Sequence, residues 1–181
     1  AEQALADCDL VVSEDTRRTG QLLAHLGLHK PQVSCHKFNE ASQVETLVER
    51  LSGGETLALV TDGGTPAISD PGHRLVDAAA QAEIAVEAIP GPCAVIAALS
   101  VAGFPADQFH FSGFLPAKRS ARRKAIEIAL QLECSVVFYE APHRMVSSLE
   151  DFAALEPARP AVVCRELSKL HEETARGTLQ E

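Results

Sequence analysis

The sequence contains no tryptophan and a single tyrosine, Tyr139, and aromatic residues make up only 4% of the chain. Proteins that bind single-stranded RNA without sequence preference stack successive bases on several exposed aromatic side chains. The scarcity of aromatic residues therefore argues against a protein that binds RNA on an aromatic platform.

Clustered cysteines and histidines are also absent. The five cysteines form no Cys-x-x-Cys pair, and the seven histidines show no spacing typical of metal ligands. We therefore expect free, mainly buried thiols and no metal site. The sequence also lacks the Gly-rich motifs that bind nucleoside triphosphates or dinucleotides, and it lacks a Ser-centred nucleophile elbow.

Long apolar runs are missing as well. No apolar segment approaches the roughly 20 residues that a membrane-spanning helix requires, and the first residues show no signal-peptide pattern. We therefore expect a cytoplasmic location and no membrane partner.

Positive charge is scarce, and the net charge is −9. Residues 1–108 carry 6 Lys and Arg against 15 Asp and Glu, whereas the rest of the chain carries 10 of each. The exception is a dense group that we call the basic cluster: Lys118, Arg119, Arg122, Arg123 and Lys124. Such a cluster suits nucleic-acid phosphates, and a solvated helix face is the alternative that composition leaves open.

Strand and helix patterns alternate along the chain, which predicts an α/β protein with a parallel sheet in its first half. The predicted strands are residues 9–13, 32–34, 56–60, 84–89, 109–114, 135–139, 161–164 and 173–179. The predicted helices include residues 17–26, with Thr16 as N-cap, and residues 41–51, 73–82 and 94–101. We place a domain boundary near residue 108, which gives a Rossmann-like N-terminal domain, 1–108, and a C-terminal α/β domain, 109–181.

A stiff loop follows the predicted strand 56–60. It begins with Asp62, Gly63 and Gly64, and prolines at positions 66 and 71 restrict it further. Open α/β sheets bind small ligands at the carboxyl ends of their strands. The carboxylate of Asp62 suits ribose hydroxyls or an amine, and the glycines expose backbone to a planar base. An ordinary turn is the alternative for Asp-Gly-Gly alone, but the length and stiffness of the whole loop favour a binding loop. Because the motifs for nucleoside triphosphates and dinucleotides are absent, its ligand would be a cofactor with little or no phosphate.

Six short motifs occur together in this chain, each of them once. They are Glu14-Asp15-Thr16-Arg17, Thr61-Asp62-Gly63-Gly64-Thr65-Pro66 continuing to Asp70-Pro71-Gly72, Pro90-Gly91-Pro92-Cys93-Ala94, Gly113-Phe114-Leu115-Pro116, Phe138-Tyr139-Glu140 with His143-Arg144, and Arg165-Glu166-Leu167. In this order, over nearly the whole chain, they resemble the ribosomal RNA small subunit methyltransferase I family of the tetrapyrrole methylase superfamily.

The resemblance implies methyl transfer from S-adenosylmethionine to the ribose 2′-hydroxyl of a cytidine in the decoding region of 16S rRNA, in the small ribosomal subunit. It also implies a homodimer and a fold of two domains. The N-terminal domain would have a parallel sheet and the C-terminal domain a mixed sheet, with the site in the cleft between them.

The resemblance also assigns residues. Cofactor contacts would be Asp62, Gly63, Gly64, Thr65, Ile68, Cys93, Ala94, Glu140 and Leu167. RNA contacts would be Arg17, Asn39, Glu40, Arg144, Arg165 and the basic cluster. A ribose hydroxyl is a poor nucleophile while protonated, so a base should help; Glu14, Asp15 and Glu166 are the candidates, which the sequence does not rank.

Two departures from the family stand out. Phe38 occupies a position where a second histidine is common, so we do not predict a histidine pair as the base. The family also has a strand before residue 1 and another after residue 179, and we expect this chain to lack both. Two other functions stay open. One is a small-molecule tetrapyrrole methyltransferase, against which the basic cluster argues. The other is a non-catalytic module that binds RNA or nucleotides.

Overall fold

The computed structural model describes all 181 residues and contains two compact units, Ala1–Cys93 and Ala94–Glu181. The elements of the first unit are, in chain order, α1 (Glu2–Asp7), β1 (Leu10–Ser13), α2 (Thr16–His25), β2 (Gln32–Ser34), α3 (Glu40–Ser52), β3 (Leu57–Val60) and α4 (His73–Gln81). None of these helices combines the length and the apolar composition that a membrane span requires.

The sheet of the first unit is parallel, as predicted, and β1 is its central strand. The strand order is β2-β1-β3, and β1 pairs in parallel with both neighbours. All four residues of β1 are buried because helices cover both faces of the sheet. Leu10 and Val12 contact residues of α3 and α4, and Val11 contacts residues of α1 and α2 on the other face.

All five cysteines are free, as expected. Cys8 and Cys35 lie within the two core clusters of the first unit, and burial raises the pKa of both thiols. A thiol with a raised pKa stays protonated at neutral pH, so these two residues serve as small apolar core side chains.

The predicted strand at residues 84–89 is wrong. These residues form no regular element, and Val86 and Ile89 are about half exposed, at 55% and 45%. A run of β-branched residues becomes a strand only where a neighbouring strand and a packed face receive it. In this structure β3 pairs with β1 alone, so the segment has no partner.

The elements of the second unit are α5 (Ala94–Ala102), β4 (Phe109–Phe114), α6 (Arg119–Leu130), β5 (Ser135–Tyr139), a 3-10 turn (Pro142–Arg144), α7 (Met145–Ala153), β6 (Pro160–Arg165) and β7 (Glu173–Thr178). β4 and β5 pair in parallel, whereas β6 and β7 pair antiparallel. Both strand orientations predicted for the C-terminal domain are therefore present, in two separate two-stranded sheets.

The two units divide at Cys93, before α5, whereas the sequence pattern placed the boundary near residue 108. Helix α5 belongs to the second unit because its C-terminal end contacts β7. There the guanidinium of Arg176 donates a hydrogen bond to the carbonyl oxygen of Val101. The sequence pattern assigned α5 to the first half because it continues the alternation of strand and helix.

Candidate functional site

The loops that follow β1 and β3 meet at the carboxyl edge of the parallel sheet. Thr61 Oγ1 lies 3.0 Å from Glu14 Oε2 and 2.8 Å from Asp70 Oδ2. A hydroxyl has one proton and can donate it to only one of these carboxylates at a time. Carboxylate oxygens at this edge therefore keep acceptor capacity for a ligand. No group of three or more His, Cys, Asp or Glu side chains in the chain could hold a metal ion.

The carboxylate of Asp15 caps the N-terminus of α2. This carboxylate, and not the predicted Thr16, is the N-cap, and it accepts the backbone N–H of Arg17 at 2.9 Å. The guanidinium of Arg17 also donates two hydrogen bonds to it, at 2.7 and 3.0 Å. These hydrogen bonds hold the pKa of Asp15 well below its usual range. A carboxylate with so low a pKa is a weak base, which disfavours Asp15 as the proton acceptor.

The start of the loop after β3 is open to ligands. Asp62 Oδ2 lies 3.5 Å from Nε of Arg18, which is a loose contact at the surface. Gly63 and Gly64 are exposed, and a Cβ added to either would meet no atom within 4 Å. The structure thus leaves one carboxylate and one stretch of bare backbone accessible at this edge.

The same loop is tightly bent further on. Ala67 and Ser69 have φ values of +68° and +63°, a region that residues with a Cβ seldom adopt and that is frequent at ligand sites. Ile68, between them, is partly exposed. The hydroxyl of Thr65 donates to the carbonyl oxygen of Pro92 at 3.3 Å, which fixes the loop to the Pro-Gly-Pro turn that ends the first unit.

Two residues expected to contact RNA are engaged inside the first unit instead. The Glu40 side chain is only 6% exposed, and its Oε1 accepts two backbone N–H groups at the start of α4, at 2.9 and 3.0 Å. The Asn39 amide accepts the N–H of His36 at 2.7 Å and donates to the carbonyl oxygen of Ser34 at 3.0 Å. Neither residue is part of the RNA-binding set that we propose.

The basic cluster is divided between a buried ion pair and free cations. The side chain of Arg122 is only 7% exposed and lies 2.7 Å from Oδ2 of Asp151. Arg119 Nε lies 2.9 Å from Oδ1 of the same carboxylate but remains largely exposed. Arg122 therefore stabilises the packing of α6 on α7 and is not available to RNA, which corrects its predicted role. No ion pair or hydrogen bond engages the side chains of Lys118, Arg123 and Lys124.

Glu140, a predicted cofactor contact, is buried within the second unit. Its Oε2 accepts the hydroxyl of Ser148 at 2.6 Å and lies 3.2 Å from Arg144. Arg144 also donates to the carbonyl oxygen of Leu115 at 2.7 Å. These contacts fix the loop that follows β5, so the two side chains act first as structural links.

The remaining candidates lie around the loop after β6. Arg165 forms an exposed ion pair with Glu173, with Nε and Oε2 2.7 Å apart. Glu166 is exposed and has a φ of +49°. Leu167 and Glu140 line a cavity of about 970 Å³ inside the second unit, whose walls are mainly apolar. The sequence did not indicate this cavity, because its walls come from segments that no spacing connects.

The whole chain, residues 1–181, matches the family model of the tetrapyrrole (corrin/porphyrin) methylases. It is 48% identical over 180 residues to the ribosomal RNA small subunit methyltransferase I of Xylella fastidiosa, covering 99% of this chain and 66% of that protein. It is 47% identical over 174 residues to the protein of the same name from Vibrio cholerae, covering 95% of this chain and 60% of that protein. The resemblance predicted from the motifs is confirmed, and the chain spans slightly less than two thirds of these relatives.

Solved structures share the fold. The methyltransferase CobJ superposes with a TM-score of 0.71 at 19% identity, covering 99% of this chain and 79% of that one. A uroporphyrin-III C-methyl transferase from Thermus thermophilus, complexed with S-adenyl homocysteine, gives a TM-score of 0.61 at 17% identity, covering 99% and 80%. Identities this low show the fold alone, and they confirm the predicted fold class. The match of the family model to all 181 residues establishes that the chain belongs to the tetrapyrrole (corrin/porphyrin) methylase family.

Proposed function

We propose that the protein methylates 16S rRNA in the small ribosomal subunit, with S-adenosylmethionine as methyl donor. The observation that carries the proposal is the 48% identity, over 99% of the chain, to a relative named ribosomal RNA small subunit methyltransferase I. The motif resemblance supplies the finer proposal, which is the ribose 2′-hydroxyl of a cytidine in the decoding region. The solved tetrapyrrole enzymes are below 20% identical and favour no tetrapyrrole substrate here.

The loop after β3 fits S-adenosylmethionine. Asp62 offers a carboxylate to the ribose hydroxyls or amino group of the cofactor, and the open backbone at Gly63 and Gly64 allows a flat base to approach closely. The bends at Ala67 and Ser69 hold the loop in one shape before the cofactor binds. When bound, S-adenosylmethionine supplies an electrophilic methyl group.

Replacing Asp62 with asparagine should weaken S-adenosylmethionine binding about 10- to 100-fold, because a hydrogen bond to a charged acceptor contributes about 1.5–3 kcal/mol. Calorimetry on the full-length protein would measure this. Asp77→Asn is the matched control, since Asp77 is exposed on α4 and bonds only to Gln81 in the same helix. Equal affinity in D62N and D77N would contradict the assignment of Asp62.

Glu14 is the proton acceptor that the geometry of the first unit favours. The pKa of Asp15 is lowered by its hydrogen bonds to Arg17, whereas Glu14 contacts only the hydroxyl of Thr61. Glu14 would take the proton of the ribose hydroxyl as its oxygen becomes the nucleophile, and Thr61 would orient the carboxylate. Arg17, whose side chain is 87% exposed, is free to meet a phosphate with its remaining N–H groups.

Replacing Glu14 with glutamine should slow methyl transfer about 100-fold, because the amide cannot accept the proton. Asp15→Asn should slow it far less, since asparagine caps a helix about as well as aspartate. Single-turnover transfer to small ribosomal subunits that lack the modification would compare the two variants. A Glu14→Gln protein with wild-type turnover would refute the role of this residue.

The RNA phosphates would be met by cations of the second unit, the exposed Lys118, Arg119, Lys124 and Arg165 and the half-buried Arg123. Backbone phosphates dominate the affinity of RNA-binding proteins, and each neutralised phosphate adds to its dependence on salt.

The motif resemblance adds a homodimer, a cytoplasmic location and cofactor contacts from Ile68, Cys93, Ala94, Glu140 and Leu167. Sedimentation of the full-length protein would test the dimer.

A further inference from the structure

An exposed phenylalanine stands at the tip of the loop between β2 and α3. Phe38 is 93% exposed, and its neighbour Lys37 is also exposed with no ion pair or hydrogen bond to its side chain. The residues at the two ends of this turn, Cys35 and Glu40, are buried. The chain thus leaves the core, presents one aromatic ring and one cation to solvent, and returns to the core.

Five hydrogen bonds hold this turn in place. The backbone N–H of Asn39 and of Glu40 both donate to the carbonyl oxygen of His36, at 3.0 and 2.9 Å. The N–H of Phe38 donates to Nδ1 of His36 at 3.3 Å. The side-chain amide of Asn39 accepts the N–H of His36 and donates to the carbonyl oxygen of Ser34. Since the turn is tied so closely, the backbone at Phe38 is fixed, and its ring lies edge-on to that of His36 with the centroids 6.1 Å apart.

The turn lies at the same sheet edge as the proposed methyl-transfer site. β1 and β2 are parallel neighbours in register, and the N–H of Cys35 donates to the carbonyl oxygen of Ser13 at 2.8 Å. The loop that carries Glu14, Arg17 and Arg18 therefore begins one strand spacing away, about 5 Å. Arg17 and Arg18 add two largely exposed guanidinium groups to the same edge.

We propose that Phe38 stacks on a nucleobase of the RNA substrate, next to the nucleotide that is methylated, while Lys37 contacts the adjoining phosphate. RNA-binding proteins recognise single-stranded RNA by stacking unpaired bases on aromatic side chains. One ring held on a rigid turn places one base, and this differs from the multi-residue platform that the aromatic composition excludes. The inference rests on the proposed RNA methylation and adds a residue that positions the substrate.

The surroundings of Phe38 favour a base over a protein partner. A stable protein interface buries about 800 Å² on each partner, with apolar side chains in contact at its centre. Phe38 is the only apolar residue between His36 and Asn39, and its ring contacts the imidazole of His36. A single ring beside a cation matches one base with its phosphate.

The test measures RNA affinity and methyl transfer for four variants of the full-length protein, with small ribosomal subunits that lack the modification as the probe. Phe38→Ala should weaken binding about 5- to 100-fold, the range for loss of one stacked base, and Phe38→Trp should restore it. Phe38→Leu should not restore it, because leucine is apolar but has no flat face. Leu170→Ala is the control, since Leu170 is equally exposed, at 92%, but lies in the second unit.

The outcomes distinguish a failure of the proposed RNA methylation from a failure of the stacking role of Phe38. A wild-type protein that neither binds nor methylates the subunits would overturn the proposed function and the role of Phe38 with it. An active wild-type protein with Phe38→Ala or Phe38→Leu equal to it would overturn the stacking role alone. A Phe38→Ala protein that changes its sedimentation but not its RNA affinity would identify the residue as a protein contact and also overturn the proposal. Unchanged S-adenosylmethionine affinity and thermal unfolding in Phe38→Ala would show that the loss is confined to RNA.

Discussion

Replacing Asp151 with alanine is expected to lower the free energy of unfolding of the second unit by about 3–5 kcal/mol, because a buried charge is left without its partner. Asp151 is fully buried, and its two oxygens accept hydrogen bonds from Arg119 and Arg122 at 2.9 and 2.8 Å. Without the carboxylate, the guanidinium of Arg122 would remain enclosed between α6 and α7. The unit would have to open there or admit water.

Urea unfolding followed by tyrosine fluorescence would measure the effect. Tyr139 is the only tyrosine, lies in β5, and is accompanied by no tryptophan, so the emission reports the second unit. Glu173→Gln is the control, since its ion pair with Arg165 is more than half exposed and should contribute less than about 1 kcal/mol. Equal midpoints for the Asp151 and Glu173 variants would contradict the importance of the buried pair.

The effect of Asp151→Ala should also depend on pH. Burial alone would raise the pKa of Asp151, but the hydrogen bonds from Arg122 and Arg119 outweigh it and lower that pKa below its usual value. The stabilisation is therefore complete above the usual carboxyl pKa of about 4 and is lost as the pH falls through the lower pKa of the folded state. The difference between wild type and variant should shrink in strong acid.

Replacing Gly72 with alanine is expected to destabilise the first unit by about 2–4 kcal/mol. Gly72 has a φ of +126°, and a Cβ there would lie 2.6 Å from Cδ2 of Leu59. Leu59 packs against the core cluster of β1 and cannot move away freely. The N–H of Gly72 also donates to Glu40, so a shift of this residue would break the cap of α4.

Amide hydrogen exchange in β1 would measure this loss, since that strand is the centre of the first unit. Gly63→Ala is the matched control, because a Cβ at Gly63 would meet no atom within 4 Å and its φ is not positive. The control should leave exchange nearly unchanged. Equal protection of β1 in the two variants would show that the loop after β3 can adapt to a side chain at Gly72.

Most elements, and the meeting of the loops after β1 and β3 at one edge of the sheet, could be predicted from the sequence. Buried strands and amphipathic helices can be recognised from the pattern of apolar residues within one short segment. Parallel strands bring their carboxyl ends to one edge of the sheet. The pairing of Glu14 with the loop after β3 follows from that rule. The failed strand at residues 84–89 shows the limit, because a strand also depends on a neighbour that local propensity does not describe.

The roles of individual polar side chains were harder to predict. Arg122, Ile126 and Ala129 are spaced on one face of α6 and are all buried, so periodicity could have indicated an enclosed arginine. Its partner Asp151 could not be found, since no rule connects residues 29 positions apart. Glu40 is a similar case, because it caps a helix that begins 33 residues later.

The central position of β1 also bears on how the protein folds during synthesis. Both strands that flank β1 come later in the chain, and β3 is completed only at Val60. At about 5–20 residues per second, the ribosome needs roughly 2–10 s to add β3 after β1. During that interval one edge of β1 lacks the neighbouring strand that it has in the finished sheet. The three-stranded sheet of the first unit can therefore close around β1 only after Val60 has been added.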